Sequence, residues 1–190
     1  MARYLVQRLW DEVDEEVLDE AGRKSLRLAG QYAGLLWEHS HVTMGADERV
    51  TSFCVYTAED MDAVLEHARL LGDHTVMNIF EIGGDVRPDT PVAEDNTTRF
   101  LVERLWEATD EDELAADRPR SRAITAERFP DIVWEHTHVV SETSGGIRTF
   151  CVYQSPTSEL LLEHARVIRG HRVMNMYEIG GDVRPEDFTV

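Results

Sequence analysis

The sequence predicts an α+β fold made of two copies of one βαββαβ unit, and three observations carry that expectation. The chain repeats itself: laid over residues 99–187, residues 3–90 return RYLVQRLW as RFLVERLW, SFCVY as TFCVY, LEHAR unchanged and VMNIFEIGGDVRP as VMNMYEIGGDVRP. The offset is 96 as far as Trp10 and Trp106 and 97 from Trp37 and Trp134 onward, so one residue is inserted in the divergent stretch between them. All 8 histidines obey the 97 offset, pairing His39 with His136, His41 with His138, His67 with His164 and His74 with His171. Within each copy, β-rich runs of period two and segments of helical period follow one another in the same order.

Each element has a local reason. RYLVQRLW is a short apolar run, a strand. DEEVLDEAGRKSLRLAGQYAGL carries apolar residues at helical spacing, with acids in its first turn and bases later, as the helix dipole prefers. In copy two this region reads DEDELAADRPRSRAITAERFP, where Pro119 fits the first turn of a helix that starts later and Pro130 lies past its end. LLWEHSHVT and VTSFCVYT read as two strands joined by the polar MGADER, or SETSGG in copy two, a hairpin in either case. AEDMDAVLEHARLLG reads as a helix with Met61, Leu65, Ala68 and Leu71 or their near neighbours on one stripe, stopped by Gly72. TVMNIFEIGG closes the unit; its glycine pair reads as a bulge or turn with positive φ, and DVRP adds a short edge strand in which Asp85 and Arg87 could pair. The copies span residues 1–90 and 99–190, and RPDTPVAEDNTT, rich in Pro, Asp and Thr, makes residues 91–98 a linker.

A βαββαβ unit is the ferredoxin-like arrangement, one antiparallel sheet with two helices on one face. The expectation is that two bare sheet faces pack together as a pseudo-dimeric α/β barrel within one chain. The formal net charge of -18, from 37 acidic against 19 basic residues, argues against nucleic acid and anionic lipid as partners. No apolar run approaches the length of a membrane span and no signal peptide is evident, so the reading is cytoplasmic, with no membrane partner. Cys54 and Cys151 stand alone among apolar residues, which fits a reducing compartment. An exposed strand edge leaves room for a further homo-oligomer.

Strand alternation places Trp37, His39 and His41 on one face. Phe53 and Val55 are expected beneath the helices, which puts Cys54 and Tyr56 on the open face with the histidines. Glu81 joins them as a carboxylate, and Gln7 or Glu103 could as well. The candidate ligand cavity is therefore Trp37, His39, His41, Cys54, Tyr56 and Glu81, mirrored by Trp134, His136, His138, Cys151, Tyr153 and Glu178. Two imidazoles on one strand face are compatible with a divalent transition metal, making His39, His41, His136 and His138 the candidate ligands; the alternative is that they fill and hydrogen-bond an interface. His67 and His164 read as half-exposed helix histidines, charged near neutral pH. His74 and His171 read as exposed. No nucleophile elbow, zincin motif, phosphate loop or dinucleotide fingerprint occurs.

At WEHSHV…SFCVYTAEDMDAVLEHA and WEHTHV…TFCVYQSPTSELLLEHA, the chain resembles a family of small bacterial ferredoxin-like domains of largely unknown function, one branch of which binds nickel. In that family a Trp-x-His-Ser-Tyr-Val strand precedes a Thr-Phe-Cys-Val-Tyr strand and an Ala-rich helix. The family's tyrosine is replaced here by His41 and His138. The resemblance covers both repeats and implies a fused dimer with nickel or another divalent metal as cofactor. The leading expectation is thus a non-catalytic binding protein that captures such a metal, or a small ligand, in or near the inter-repeat barrel. The first alternative is a cofactor-free enzyme of the dimeric α/β-barrel type, an isomerase, cyclase or monooxygenase working with cavity His, Tyr and Glu and with His39 or His136 as base. The second is a structural or partner-binding module.

Overall fold

A computed structural model describes residues 1–11, 13–45, 49–88, 97–106, 111–141 and 146–188. Copy one contributes β1 (Ala2–Trp10), α1 (Glu15–Ala29), β2 (Leu36–Met44), β3 (Val50–Ala58), α2 (Met61–Leu71) and β4 (His74–Val86). Copy two contributes β5 (Arg99–Trp106), α3 (Glu111–Arg128), β6 (Val133–Ser141), β7 (Ile147–Gln154), α4 (Ser158–Ile168) and β8 (His171–Val183), then a 3-10 turn at Pro185–Asp187. The α+β reading and the element order are as the repeat implies. Most of the hairpin tips and of the linker, at 46–48, 142–145 and 89–96, lie outside the described residues.

Caps set the helix starts as the sequence chemistry dictates. The Asp14 carboxylate accepts from the Val17 N–H, Asp60 from Ala63 and the Thr157 hydroxyl from Leu160, each satisfying one of the unpaired donors of a first turn. Helix α2 ends at Gly72, whose φ is 70°, a value glycine adopts without strain.

The chain divides into two compact units, residues 1–82 with 179–190, and residues 83–178. Strands β4 and β8 therefore each begin in one unit and finish in the other. In the first unit β3 is central and antiparallel, paired with β1 on one side and β2 on the other, while β1 continues to β4; the end of β8 lies beside β2. In the second unit β7 is central, paired with β5 and β6, with the start of β8 next to β5 and the end of β4 next to β6.

Two sequence expectations fail here for local reasons. The glycine pairs Gly83–Gly84 and Gly180–Gly181 are not turns: the strands run straight through them to Val86 and Val183, and none of the four has positive φ. Helix α3 begins at Glu111 and carries Pro119 inside it rather than in its first turn. On α2 the stripe keeps Ala68 and Leu71 and otherwise falls on near neighbours. Val64, His67, Ala68 and Leu71 are its buried residues, whereas Met61 and Leu65 are exposed. Taking in His67 shifts the apolar face by one position.

A β-bulge decides which side chains share a face. Trp37 lies opposite Tyr56, but the next pair is His39 with Val55, so Glu38 is an extra residue; Glu135 repeats this between Trp134 and His136. The extra residue reverses the alternation. Trp37 thereby packs with Tyr4, Val6, Cys54 and Tyr56 against Ala29 of α1 and Val64 of α2, while His39 and His41 follow Val55 and Phe53 on the opposite face. The expected grouping of Trp37, Cys54 and Tyr56 with the histidines is corrected accordingly, and Phe53 and Val55 are not the residues beneath the helices. Each bulge is locked by ion pairs: Arg3 meets Glu38 through Nε at 2.8 Å and Nη2 at 2.7 Å, and Arg99 meets Glu135 in the same way at 2.8 and 2.7 Å. Burial works against the Glu38 charge, but the bonds from Arg3 and Thr57 outweigh it and hold its carboxyl below the usual range.

Candidate functional site

Within the first unit His39 and His41 stand with ring centroids 5.1 Å apart. His41 is buried, and its Nδ1 lies 2.6 Å from an oxygen of Asp182. The second unit repeats this with His136 and His138, centroids 5.1 Å apart, and His138 Nδ1 2.7 Å from Asp85. A carboxylate on one ring nitrogen fixes tautomer and orientation. Sequence reading missed both partners, placing Asp85 only beside Arg87, a contact that does exist at 3.7 Å. The missed signal was the repeat itself: Asp85 and Asp182 obey the same 97 offset as the histidines, in a motif that had no assigned task.

The second unit also holds a half-open cavity of about 530 Å³ between its sheet and α3. Arg104 and Trp106 of β5, Trp134, Thr137 and Val139 of β6, Thr149, Cys151 and Tyr153 of β7, and Ser121, Arg122 and Thr125 of α3 line it. The tryptophans are pinned, Nε1 of Trp106 donating to Thr149 at 2.8 Å and that of Trp134 to Thr137 at 2.9 Å. Arg104 is 1% exposed and its guanidinium carbon sits 5.1 Å from the centre of the Tyr153 ring. Burial pushes the Tyr153 hydroxyl well above the ordinary phenol range, against the pull of the Arg104 charge, so it is a proton-bearing donor at neutral pH. The Thr125 hydroxyl, also on the wall, donates to the Ser121 carbonyl at 2.9 Å and meets His164 Nε2 at 2.8 Å.

The counterpart in the first unit is nearly closed. Arg8, Trp10, Trp37, Ser52, Cys54 and Tyr56 occupy the equivalent strand positions around a space of only about 40 Å³. Arg8 Nη1 donates to the Tyr56 hydroxyl at 3.2 Å and to Cys54 Sγ at 3.4 Å, and Tyr56 is joined through Ser25 to His67 at 3.2 Å each. Phe188 fills what remains. Its ring stacks on Trp37 at 5.9 Å and rests against Gly22, where a Cβ would lie 2.2 Å from a ring carbon. Glycine is required for that approach.

The remaining histidines are corrected from charged or exposed to neutral and at least partly buried. His67 and His164 are 0% and 1% exposed. Burial, then the Arg8 charge, brings His67 down to about 4; burial, then Arg104, brings His164 to about 3. His74 and His171, each tilted against a tryptophan with ring centroids 5.0 and 4.6 Å apart, fall to about 4 through burial first and the same arginines second.

The candidates named from sequence thus separate into groups within each unit. Trp134, Cys151 and Tyr153 line the second cavity, and Trp37, Cys54 and Tyr56 the small first one. His39, His41, His136 and His138 lie on the other face of their strands. Glu81 and Glu178 are exposed, and Glu81 sits opposite Tyr4, on the helix side. Gln7 faces the Phe53 side and accepts from Asn78 at 2.8 Å. Sequence reasoning passed over Arg8 and Arg104, since arginine in a strand ordinarily reads as surface.

Residues 4–82 match a family model described as nickel responsive protein SCO4226-like. No curated protein matches the chain. Among solved structures it resembles a candidate chlorite dismutase, TA0507, at 10% identity over 98% of this chain and 97% of that one, with a TM-score of 0.56. A chlorite dismutase variant from Candidatus Nitrospira defluvii is similar at 13% identity, 95% and 91% coverage and a TM-score of 0.55. A candidate monooxygenase from Lactobacillus acidophilus NCFM is similar at 11% identity, 97% coverage of both chains and a TM-score of 0.51. At such identity the likeness is one of fold. These comparisons correct the leading expectation of a non-catalytic capture protein: the solved chains that share the fold along nearly their whole length are named as enzymes. Among the described residues no helix is long and apolar enough to cross a membrane.

Proposed function

We propose that the chain is an enzyme that stabilises an enolate- or phenolate-type oxyanion in the cavity beneath α3. Isomerisation, cyclisation and oxygenation of aromatic substrates share such an anion, which is why the reaction class can be stated before the product. One observation carries the reading: a half-open cavity with a buried phenol, held protonated, beside a buried guanidinium. Donors fixed in advance at low dielectric favour charge as it develops, and each is worth about 3–4 kcal/mol in the systems where one has been removed. Tyr153 donates to the oxyanion, Arg104 supplies the compensating charge, the two pinned indoles wall the pocket, and the α-proton leaves to solvent at its open side. His164 is too weakly basic at about 3 to accept the first proton; its task is to hold Thr125 on the wall. His39 and His136, on the other strand face, are not the base of this site.

The family description names nickel. The residues that fit a transition metal are His39 with His41 and His136 with His138, because the carboxylates of Asp182 and Asp85 orient one ring of each pair as metal-bound imidazoles ordinarily are. A bound metal would supply a Lewis acid on that face of the strands.

The test is proton exchange in D2O. The protein is expected to speed loss of the α-proton NMR signals of 1-tetralone, and Tyr153→Phe to slow that exchange by about 100-fold while the fold persists. Wild-type protein no faster than buffer, or a Phe variant as fast as wild type, would refute the assignment.

A further inference from the structure

We infer that the substrate of this cavity has two polar ends, the oxygen that Tyr153 meets and a carboxylate on a distal ring that Arg122 meets at the mouth. The inference rests on the reaction proposed above and adds the class of molecule, an aromatic ketone bearing a carboxylate. Arg122 of α3 is one of the residues lining the cavity and, unlike Arg104, it is exposed. Its guanidinium carbon lies over the Trp134 ring, 5.5 Å from the centroid. A guanidinium set over an aromatic face keeps its in-plane N–H donors for a second partner. Among the described residues no carboxylate takes them.

Charge and depth select the ligand. The chain has 37 acidic residues against 19 basic, yet Arg118, Arg120 and Arg122 fall within five residues of one another, and no described residue lining the cavity is acidic. The acidic surface repels an anion only over about one Debye length, roughly 8 Å at physiological salt, so the arginines nearest the mouth govern its approach. Polar groups stand at two depths: Tyr153 and Arg104 are buried on the sheet, whereas Arg122 is exposed on the helix. Trp106, Trp134, Leu114 and Val139 make much of the remaining wall apolar. A flat aromatic body suits that wall, an oxygen suits the buried donors, and a carboxylate suits the planar edge of the exposed guanidinium. An ion at the mouth keeps part of its water, which spares most of the desolvation that a buried charge would suffer. The first unit lacks this arrangement. There Phe188 stacks on Trp37, Arg23 lies over Phe188 and is bonded to Asp19 at 3.0 Å, and the space of about 40 Å³ admits a water and not an aromatic acid.

Calorimetry with 5-hydroxy-1-naphthoate and its neutral twin 5-hydroxy-1-naphthamide tests this without turnover. The full chain is expected to bind the acid about fivefold tighter than the amide at low salt, the size of a partly solvated ion pair. The ratio should fall toward one in about 1 M salt, where the Debye length is only about 3 Å. Arg122→Gln should erase the preference, and Arg23→Gln, on α1, should keep it. Glutamine is a good helix former and the Arg122 side chain is exposed, so that variant retains the fold. Equal affinity for acid and amide in the wild-type chain, binding of neither, a preference that survives Arg122→Gln, or one untouched by salt would each overturn the inference. 1-Tetralone has no carboxylate, so its proton exchange reads the reaction by itself. Exchange without preference for the acid would overturn the substrate class alone; preference for the acid without exchange would refute the reaction and leave the contact with Arg122 standing.

Discussion

Acidifying the protein from pH 7 to pH 5 is expected to remove about 3 kcal/mol of its stability, chiefly through His67 and His164. Both are buried, with folded values near 4 and 3, against about 6.5 in an unfolded chain. The sign follows from which state takes up protons. Between pH 6.5 and 4 the unfolded chain binds protons that the folded one refuses, so stability is full above 6.5, falls by up to about 1.4 kcal/mol per pH unit per histidine, and levels off below the folded values. His74 and His171 act in the same direction but more weakly, since solvent screens part of their charge. The depressed Glu38 carboxyl contributes stability above the ordinary carboxylate range and loses it only as pH falls further, through its own lowered value, so pH 5 isolates the histidines. Relief of repulsion in a chain of net charge -18 opposes the loss, but exposed charges are screened and the buried rings are not. Urea unfolding at the two pH values measures the difference; an unchanged midpoint would mean that these imidazoles accept protons in place. His67→Gln with His164→Gln should flatten the profile.

Phe188→Ala is expected to cost about 3 kcal/mol, in the range for emptying a buried aromatic position. The ring is 8% exposed, stacked on Trp37 and seated on Gly22, so nothing nearby can collapse into its place without moving α1 or β2. The same change enlarges the small space beside Arg8. Urea unfolding measures the loss, and one below about 1 kcal/mol would show that Phe188 is not what closes the first unit.

Much of this architecture was legible in the amino-acid order because it rests on period and punctuation. The duplication, the caps at Asp14, Asp60 and Thr157 and the β3 and β7 strands follow from patterns that local chemistry enforces. The candidate site was legible only in its parts. His39 with His41 and Tyr56 with Cys54 were rightly paired, but one extra residue at Glu38 reversed the alternation between Trp37 and His39, and no periodicity argument sees a single-residue bulge. Its trace was an acid, Glu38, at a fixed distance from Arg3 in both copies. Arg104 escaped because burial of a guanidinium is rare enough that pattern reading places arginine in water, and Asp182 because its partner His41 lies far away along the chain. Closure of one cavity and not the other depends on Phe188, which follows the second repeat and has no aromatic counterpart after the first: Pro91 stands at its 97 offset.

The most direct trial of the account is a crystal structure of the chain grown with 1-naphthol, the aromatic analogue of the enol of 1-tetralone. The account predicts a ligand beneath α3, its oxygen against the Tyr153 hydroxyl and its rings between Trp106 and Trp134. Naphthol seated elsewhere on the chain, with that cavity holding only water, would contradict it.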